Sequence, residues 1–408
     1  MHFSRRTDWN TDTTPLARAL AERRSSGQAV VDLTVSNPRR CGIPLPEQFL
    51  QPFLDPAVLD YDPDPRGQRA ARQAVAAYYA GRGVSVEPEQ MVLTTGTSEA
   101  YSFLFRMLCD PGDSVLVPVP GYPLFDYLAD AESVQLVPVP MLRDHGWHLD
   151  WQQMEQSVTP RTRAVILVHP NNPTGHFTPA EESGQLFAFC RRHGLALIVD
   201  EVFLDYALES TLAPTLAPTP EADACSFLAR QGSVSLFVVS GISKILGLPQ
   251  MKLAWIVAAG SEPERQQALE RLEVLADTFL SVSTPVQVAV RRWLPEAAVV
   301  QQQIGQRIGG NLAALDAALA AQPVRWVSRL EAQAGWYAVL RIPALHDDEE
   351  MALRLLERGV WVHPGSFFSM PSTGWLVVSL LTPEPEFGAG LRLLLESVAA
   401  MAEAAGSR

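Results

Sequence analysis

Residues 233–260 read SVSLFVVSGISKILGLPQMKLAWIVAAG. Two apolar runs, SVSLFVVSG (233–241) and KLAWIVAAG (252–260), flank a short turn-rich segment. Each is too short for a typical helix and shows no apolar/polar alternation, so it reads as a strand covered on both faces of a sheet. Four runs of the same kind lie upstream: MVLTTG (91–96), SVLVPVP (114–120), AVILVHP (164–170) and LALIVDE (195–201). Helical spacing occupies 98–108 and 179–194, the second closed by Gly194. Strands alternating with helices predict an α/β fold with an open, mostly parallel central sheet between helices. Further along, 263–275 and 286–320 read as long helices. The last stretch, 322–408, alternates strands (GWYAVLRI, GVWVHPG, GWLVVSLL) with helices, as a smaller α/β unit does. TLAPTLAPTPEADA (211–224) reads as a loop.

The same stretch holds a compositional clue. The chain has 32 basic residues, of which only Lys244 and Lys252 are lysines. A bias toward arginine explains the missing lysines but not which two stayed. Arginine replaces lysine on a solvated surface, yet it does not lose its proton to act as a nucleophilic amine. The remaining composition narrows the classes. With 408 residues the chain has room for two domains. A net charge of −13 disfavours nucleic acid and anionic membranes as partners. Four cysteines without a Cys-x-x-Cys pair fit neither a zinc site nor a disulfide framework. MHFSRRTDWNTDTTP lacks the apolar core of a signal peptide, and no run of apolar residues is long enough to span a bilayer. A cytoplasmic location is expected.

Ligands of open α/β sheets bind beyond the carboxyl ends of the strands. There the sequence places Thr95-Gly96-Thr97-Ser98, Gly121-Tyr122-Pro123, Asn171-Asn172-Pro173-Thr174-Gly175, Asp200-Glu201 and Ser243-Lys244. Singly, each has an ordinary reading as a helix cap, a turn or a packing residue. Jointly they propose a phosphate at a helix N-terminus, a planar ring beside Tyr122, a carboxylate and a reactive amine. That combination describes pyridoxal phosphate, with Lys244 forming the imine, Asp200 keeping the pyridine nitrogen protonated and the Thr95–Thr97 turn holding the phosphate.

These motifs, with Tyr61-x-Pro63-x-x-x-Gly67, Ser243-Lys244 spaced to Gly247 and His363-Pro364-Gly365-Ser366-x-Phe368, resemble the class I/II aminotransferases of fold type I, the aspartate aminotransferase superfamily. The resemblance runs over essentially the whole chain. It implies a large cofactor-binding domain over 47–290 and a small domain built from 1–46 and 291–408. It further implies that Lys244 is the catalytic lysine, moving a proton between the substrate α-carbon and the cofactor. Cofactor contacts would come from Tyr61, Thr95, Gly96, Thr97, Tyr122, Asn172, Asp200, Phe203, Ser243 and Lys252. In that scheme Asn172 donates to the ring hydroxyl, and Tyr61 reaches the neighbouring subunit's phosphate, which makes a homodimer with shared sites.

Three positions depart from the family pattern. Phe203 stands where the family has Tyr, which removes one hydrogen bond to the ring hydroxyl. Lys252 replaces an arginine, leaving a point charge for the phosphate rather than a fork. Val377 occupies the place of the arginine that grips the substrate carboxylate. A carboxylate entering a dry site needs a cationic or multi-donor partner. The first candidate is Arg341, on the strand face of Tyr337 and Val339; the second is the segment of Asn37, Arg39 and Arg40, which in the family lies beside the substrate.

The expected activity is transfer of an amino group between an amino acid and a 2-oxo acid. The alternative with the same cofactor is a lyase, decarboxylase or cyclising enzyme. An effector-sensing regulator would need a basic helix-turn-helix, which the segment before residue 47 does not supply. A nicotinamide dehydrogenase is disfavoured because no Gly-x-Gly-x-x-Gly follows a strand.

Overall fold

A computed structural model describes residues 1–143, 146–208, 223–230, 232–280 and 282–407. Most of the loop expected at 211–224 lies outside these residues. All six apolar runs quoted above form strands of one eight-stranded sheet. In spatial order the strands are Met91–Thr94, Ala254–Ala259, Leu236–Gly241, Ala196–Asp200, Thr162–Val168, Ser114–Val119, Gln135–Leu142 and His148–Leu149. The inner pairings are parallel, whereas Ala254–Ala259 runs antiparallel to both of its neighbours.

The strand runs are continuous in apolar residues because the sheet has a core on each side. Leu197 and Val199 face one core with Leu116, Val165, Leu167, Val238 and Trp255. Ile198 faces the other with Val115, Ile166, Phe237, Val239 and Ile256. Period-2 alternation therefore sends apolar residues to both faces. One face is covered by helices Thr97–Leu108, Phe125–Ala131 and Glu262–Phe279 through Phe103, Phe125 and Leu272. The other receives Arg69–Ala80 and Ala180–His193 through Val75 and Phe189. The latter helix ends where expected: Gly194 takes φ +65°, and its N–H closes the last turn on the Cys190 and Arg191 carbonyls.

The stretch 286–320 is two helices, Thr284–Trp293 and Ala297–Ala320, separated by a 3-10 turn at Leu294–Glu296. Beyond them, Ser328–Arg329, Tyr337–Arg341, Trp375–Ser379 and His363–Pro364 form an antiparallel sheet in that order. The run GVWVHPG divides, since Val360–Trp361 pairs in parallel with Val31–Asp32 of the N-terminal segment. That pairing joins the two ends of the chain.

Two joints bring this smaller unit against the large sheet. Phe368 accepts from the Gly121 N–H at 3.0 Å, and the Gly175 carbonyl accepts from Gln333 at 2.9 Å and Ala334 at 2.8 Å. Gly175 has φ +71°, and a Cβ there would overlap the Ala334 carbonyl. Gly175→Ala is therefore expected to cost about 1–3 kcal/mol, read as a lower urea midpoint at unchanged slope. A variant with the wild-type midpoint would mean that the joint is loose.

Candidate active site

Lys244 follows the end of strand Leu236–Gly241 on a single helical turn, Ile242–Ile245. Its Nζ lies 4.7 Å from the ring centroid of Trp336 and 5.3 Å from that of Phe203. Phe203 itself meets Trp336 edge-on at 5.5 Å and Tyr337 at 6.5 Å, so the amine sits in an aromatic cup. Burial lowers the Lys244 pKa to about 8, with the Asp200 charge acting in the opposite direction.

Asp200 ends the neighbouring strand and is buried. Its carboxylate accepts from the Val202 N–H at 3.0 Å and the Tyr101 hydroxyl at 3.1 Å. Burial raises its pKa to about 6 despite these donors and Lys244. Tyr122 follows strand Ser114–Val119, two places along the sheet; its hydroxyl is pushed up to about 12 by burial and by Asp200. Asn172 is buried on the loop after Thr162–Val168, and its Oδ1 has no partner among the described residues. The adjacent Asn171 holds that loop, donating to the Pro120 carbonyl at 3.2 Å and accepting from the Thr174 hydroxyl at 2.8 Å.

Lys252 reaches the start of helix Thr97–Leu108. Gly96 is its N-cap, and a Cβ on Gly96 would stand 3.5 Å from the Lys252 Nζ. The free N–H groups of this helix start and the lysine favour an anion, although Glu99 already accepts from the Thr95 N–H at 2.7 Å. Ser243 shares the Lys244 turn.

Arg341 is not brought to this cluster. Its guanidinium donates to the carbonyls of Thr373 at 2.6 Å and Gly374 at 3.2 Å and lies 4.5 Å from the Trp375 ring centroid. Four residues beyond Tyr337, it stands about 13 Å farther along the strand. Val377 is fully buried opposite Val339 and His363. Arg39 and Arg40 are exposed, while Asn37 accepts from the Arg40 N–H at 3.2 Å. The next residue, Pro38, touches the loop after Lys244, since a Cβ on Gly247 would lie 3.2 Å from it. Tyr61 is 78% exposed. The sequence reading gave no site role to Tyr101, Tyr206, Trp336 or Tyr337: Tyr101 and Tyr206 lie just beyond the Thr95–Ser98 and Asp200-Glu201 motifs, whereas Trp336 and Tyr337 are remote from every strand-end motif.

Residues 55–385 match the model of the family described as aminotransferase class I and II. The chain belongs to this family. The aminotransferase is 27% identical over 371 residues to the glutamate–pyruvate aminotransferase AlaA of Escherichia coli, covering 88% of this chain and 87% of the other. It is 25% identical over 399 residues to an alanine aminotransferase of Mycobacterium tuberculosis, covering 93% and 88%. Its fold superposes on a Thermus thermophilus aspartate aminotransferase with a TM-score of 0.84 at 23% identity, covering 97% of this chain and 100% of that one. An alanine aminotransferase from Pyrococcus furiosus gives 0.83 at 21%, covering 94% and 96%.

The family uses pyridoxal phosphate, and the aminotransferase's residues fit that group. The Lys252 amine beside the Gly96 N-cap suits its phosphate. The unmet Asn172 Oδ1 calls for a polar ligand atom, because a buried polar group without a partner is costly. No described helix is long and apolar enough to cross a membrane.

Proposed function

We propose that this aminotransferase moves an amino group between an amino acid and a 2-oxo acid, with Lys244 as its reactive amine. The aromatic cup around Lys244, electrostatically coupled to Asp200, is the observation that carries the reading. When bound, pyridoxal phosphate supplies an aldehyde that accepts an amino group and a ring that accepts electrons. The Lys244 Nζ would take a proton from the substrate α-carbon and pass it to the cofactor, a role that needs an amine uncharged at working pH. The Asp200 carboxylate would keep a proton on the ring nitrogen, Tyr122 would hold the ring and Asn172 would bind its hydroxyl. Thr95, Gly96, Thr97, Ser243 and Lys252 hold the phosphate.

The division into a large domain over 47–290 and a small domain from 1–46 and 291–408 is part of the same reading. The joints at Gly121–Phe368 and Gly175–Ala334 support a substrate site between them. For the substrate carboxylate we carry forward Asn37 with Arg39 and Arg40, because Pro38 already packs against the loop of Lys244 while Arg341 is engaged elsewhere. A homodimer is supported by exposed Leu54, Leu59, Tyr61 and Phe279 on the large domain, apolar surface that a second copy would cover. A cytoplasmic location completes the reading.

Alanine and glutamate are the first donors to test, given the names of the relatives. Adding donor alone to holoenzyme should convert the cofactor absorbance to that of its amine form, and a 2-oxo acid should restore it. A lyase or decarboxylase would release product without accumulating the amine form. Capture of free cofactor by the stripped enzyme should accelerate about tenfold per pH unit up to about pH 8 and then level off, because only the neutral amine attacks an aldehyde. A flat profile from pH 6 to 9 would remove Lys244 from the role.

A further inference from the structure

We propose that Tyr206 and Trp336 form a positioning pair for Lys244, Tyr206 holding its backbone carbonyl and Trp336 carrying its amine on the ring face. The inference rests on Lys244 being the reactive amine. The Tyr206 hydroxyl donates to the Lys244 carbonyl at 2.6 Å. Its ring is buried edge-on against Trp336 at 5.1 Å, and the Lys244 Nζ lies 4.7 Å from the same indole. One pair of rings thus touches both ends of the lysine.

The need for such a pair follows from the local backbone. Ile242–Ile245 is one helical turn, too short to fix its own carbonyls by a ladder. The Lys244 carbonyl otherwise receives the Leu246 N–H, which it shares with the Ile242 carbonyl, and the Gly247 N–H at 3.3 Å, a long contact. Tyr206 and Trp336 are themselves tied together, since the Gly335 N–H donates to the Tyr206 carbonyl at 2.9 Å and Ala207 bridges Ala334. Trp336 is fully buried, and its carbonyl accepts from the Leu380 N–H at 2.8 Å. Lys244 is therefore held by a junction that includes the smaller unit.

Tyr206→Phe deletes the donor and keeps the ring. We expect kcat to fall about 10- to 100-fold while the donor KM stays within about twofold, since misplacing a reacting group raises the barrier without weakening binding. A second readout uses the two-lysine composition: reductive methylation with 13C-formaldehyde gives the stripped enzyme only two lysine side-chain signals, assigned with Lys252→Arg. The Lys244 signal, shifted by the Trp336 ring in the wild type, should move toward that of a solvated lysine in Tyr206→Phe and titrate at higher pH. Trp336→Phe should move it in the same sense. A kcat within twofold of wild type, or a Lys244 signal unchanged in both variants, overturns the proposal. Borohydride reduction keeps the two readings apart: cofactor fixed at Lys244 leaves its role intact whatever kcat does, whereas cofactor fixed at Lys252 removes that role and the positioning pair with it.

Discussion

Lys244→Ala holoenzyme should lose roughly 10²–10⁴-fold in kcat from the missing proton transfer alone, with a further loss from the missing covalent link. Lys244→Arg should be as inactive, and this second variant separates amine chemistry from mere charge, because a guanidinium does not deprotonate at working pH. Borohydride should fix cofactor to a peptide containing residue 244 in the wild type and to no lysine peptide in either variant. Labelling at Lys252 would reverse the assignment.

Stability should move the other way. Burial lowers the Lys244 pKa from 10.5 to about 8, so the folded chain binds its proton less tightly than the unfolded chain does. That cost is complete below about pH 8 and fades as pH rises toward 10.5. Stripped Lys244→Met enzyme should therefore outlast the wild type in urea at pH 7, and the difference should shrink above pH 10.

Asp200→Asn should lower kcat about 10²–10³-fold, the scale of losing one preorganised electrostatic contact in a buried site. Asparagine Oδ1 can still accept from the Val202 N–H while its amide N–H donates to the Tyr101 hydroxyl oxygen, so both contacts persist and only the charge offered to the ring nitrogen goes. Burial raises the Asp200 pKa from 3.8 to about 6, so the folded chain loses stability as pH rises through that window. At neutral pH the deficit is on the order of 3 kcal/mol. Stripped Asp200→Asn enzyme should consequently be more stable than wild type at pH 7, with the gain vanishing below about pH 4. A variant that kept more than a tenth of the wild-type kcat would reduce Asp200 to a turn cap.

Six strands were legible because a strand covered on both faces must be apolar at every position, a local signature that survives without any partner. Gln135–Leu142 was not, since Pro138 and Pro140 interrupt its run. Proline is tolerated there because that strand has a full partner on one side only, with the two-residue His148–Leu149 on the other. The direction of Ala254–Ala259 was equally silent, because an apolar run reads the same parallel or antiparallel.

The sequence by itself determined the sheet, the order of polar residues at its strand ends and the two lysines that an arginine-rich chain retained. These follow from nearest-neighbour chemistry: strand periodicity, turn residues and the inability of arginine to replace an amine. Tertiary structure alone decided how that amine is held and which arginines are free. Arg341 shares a strand with Tyr337, but Trp375 and the carbonyls of Thr373 and Gly374 engage it first. Tyr206, Lys244 and Trp336 are far apart in the chain and meet only when the smaller unit closes on the sheet. No window of sequence contains all three, and a hydrogen bond or ring contact between remote residues leaves no trace in the periodicity of either segment.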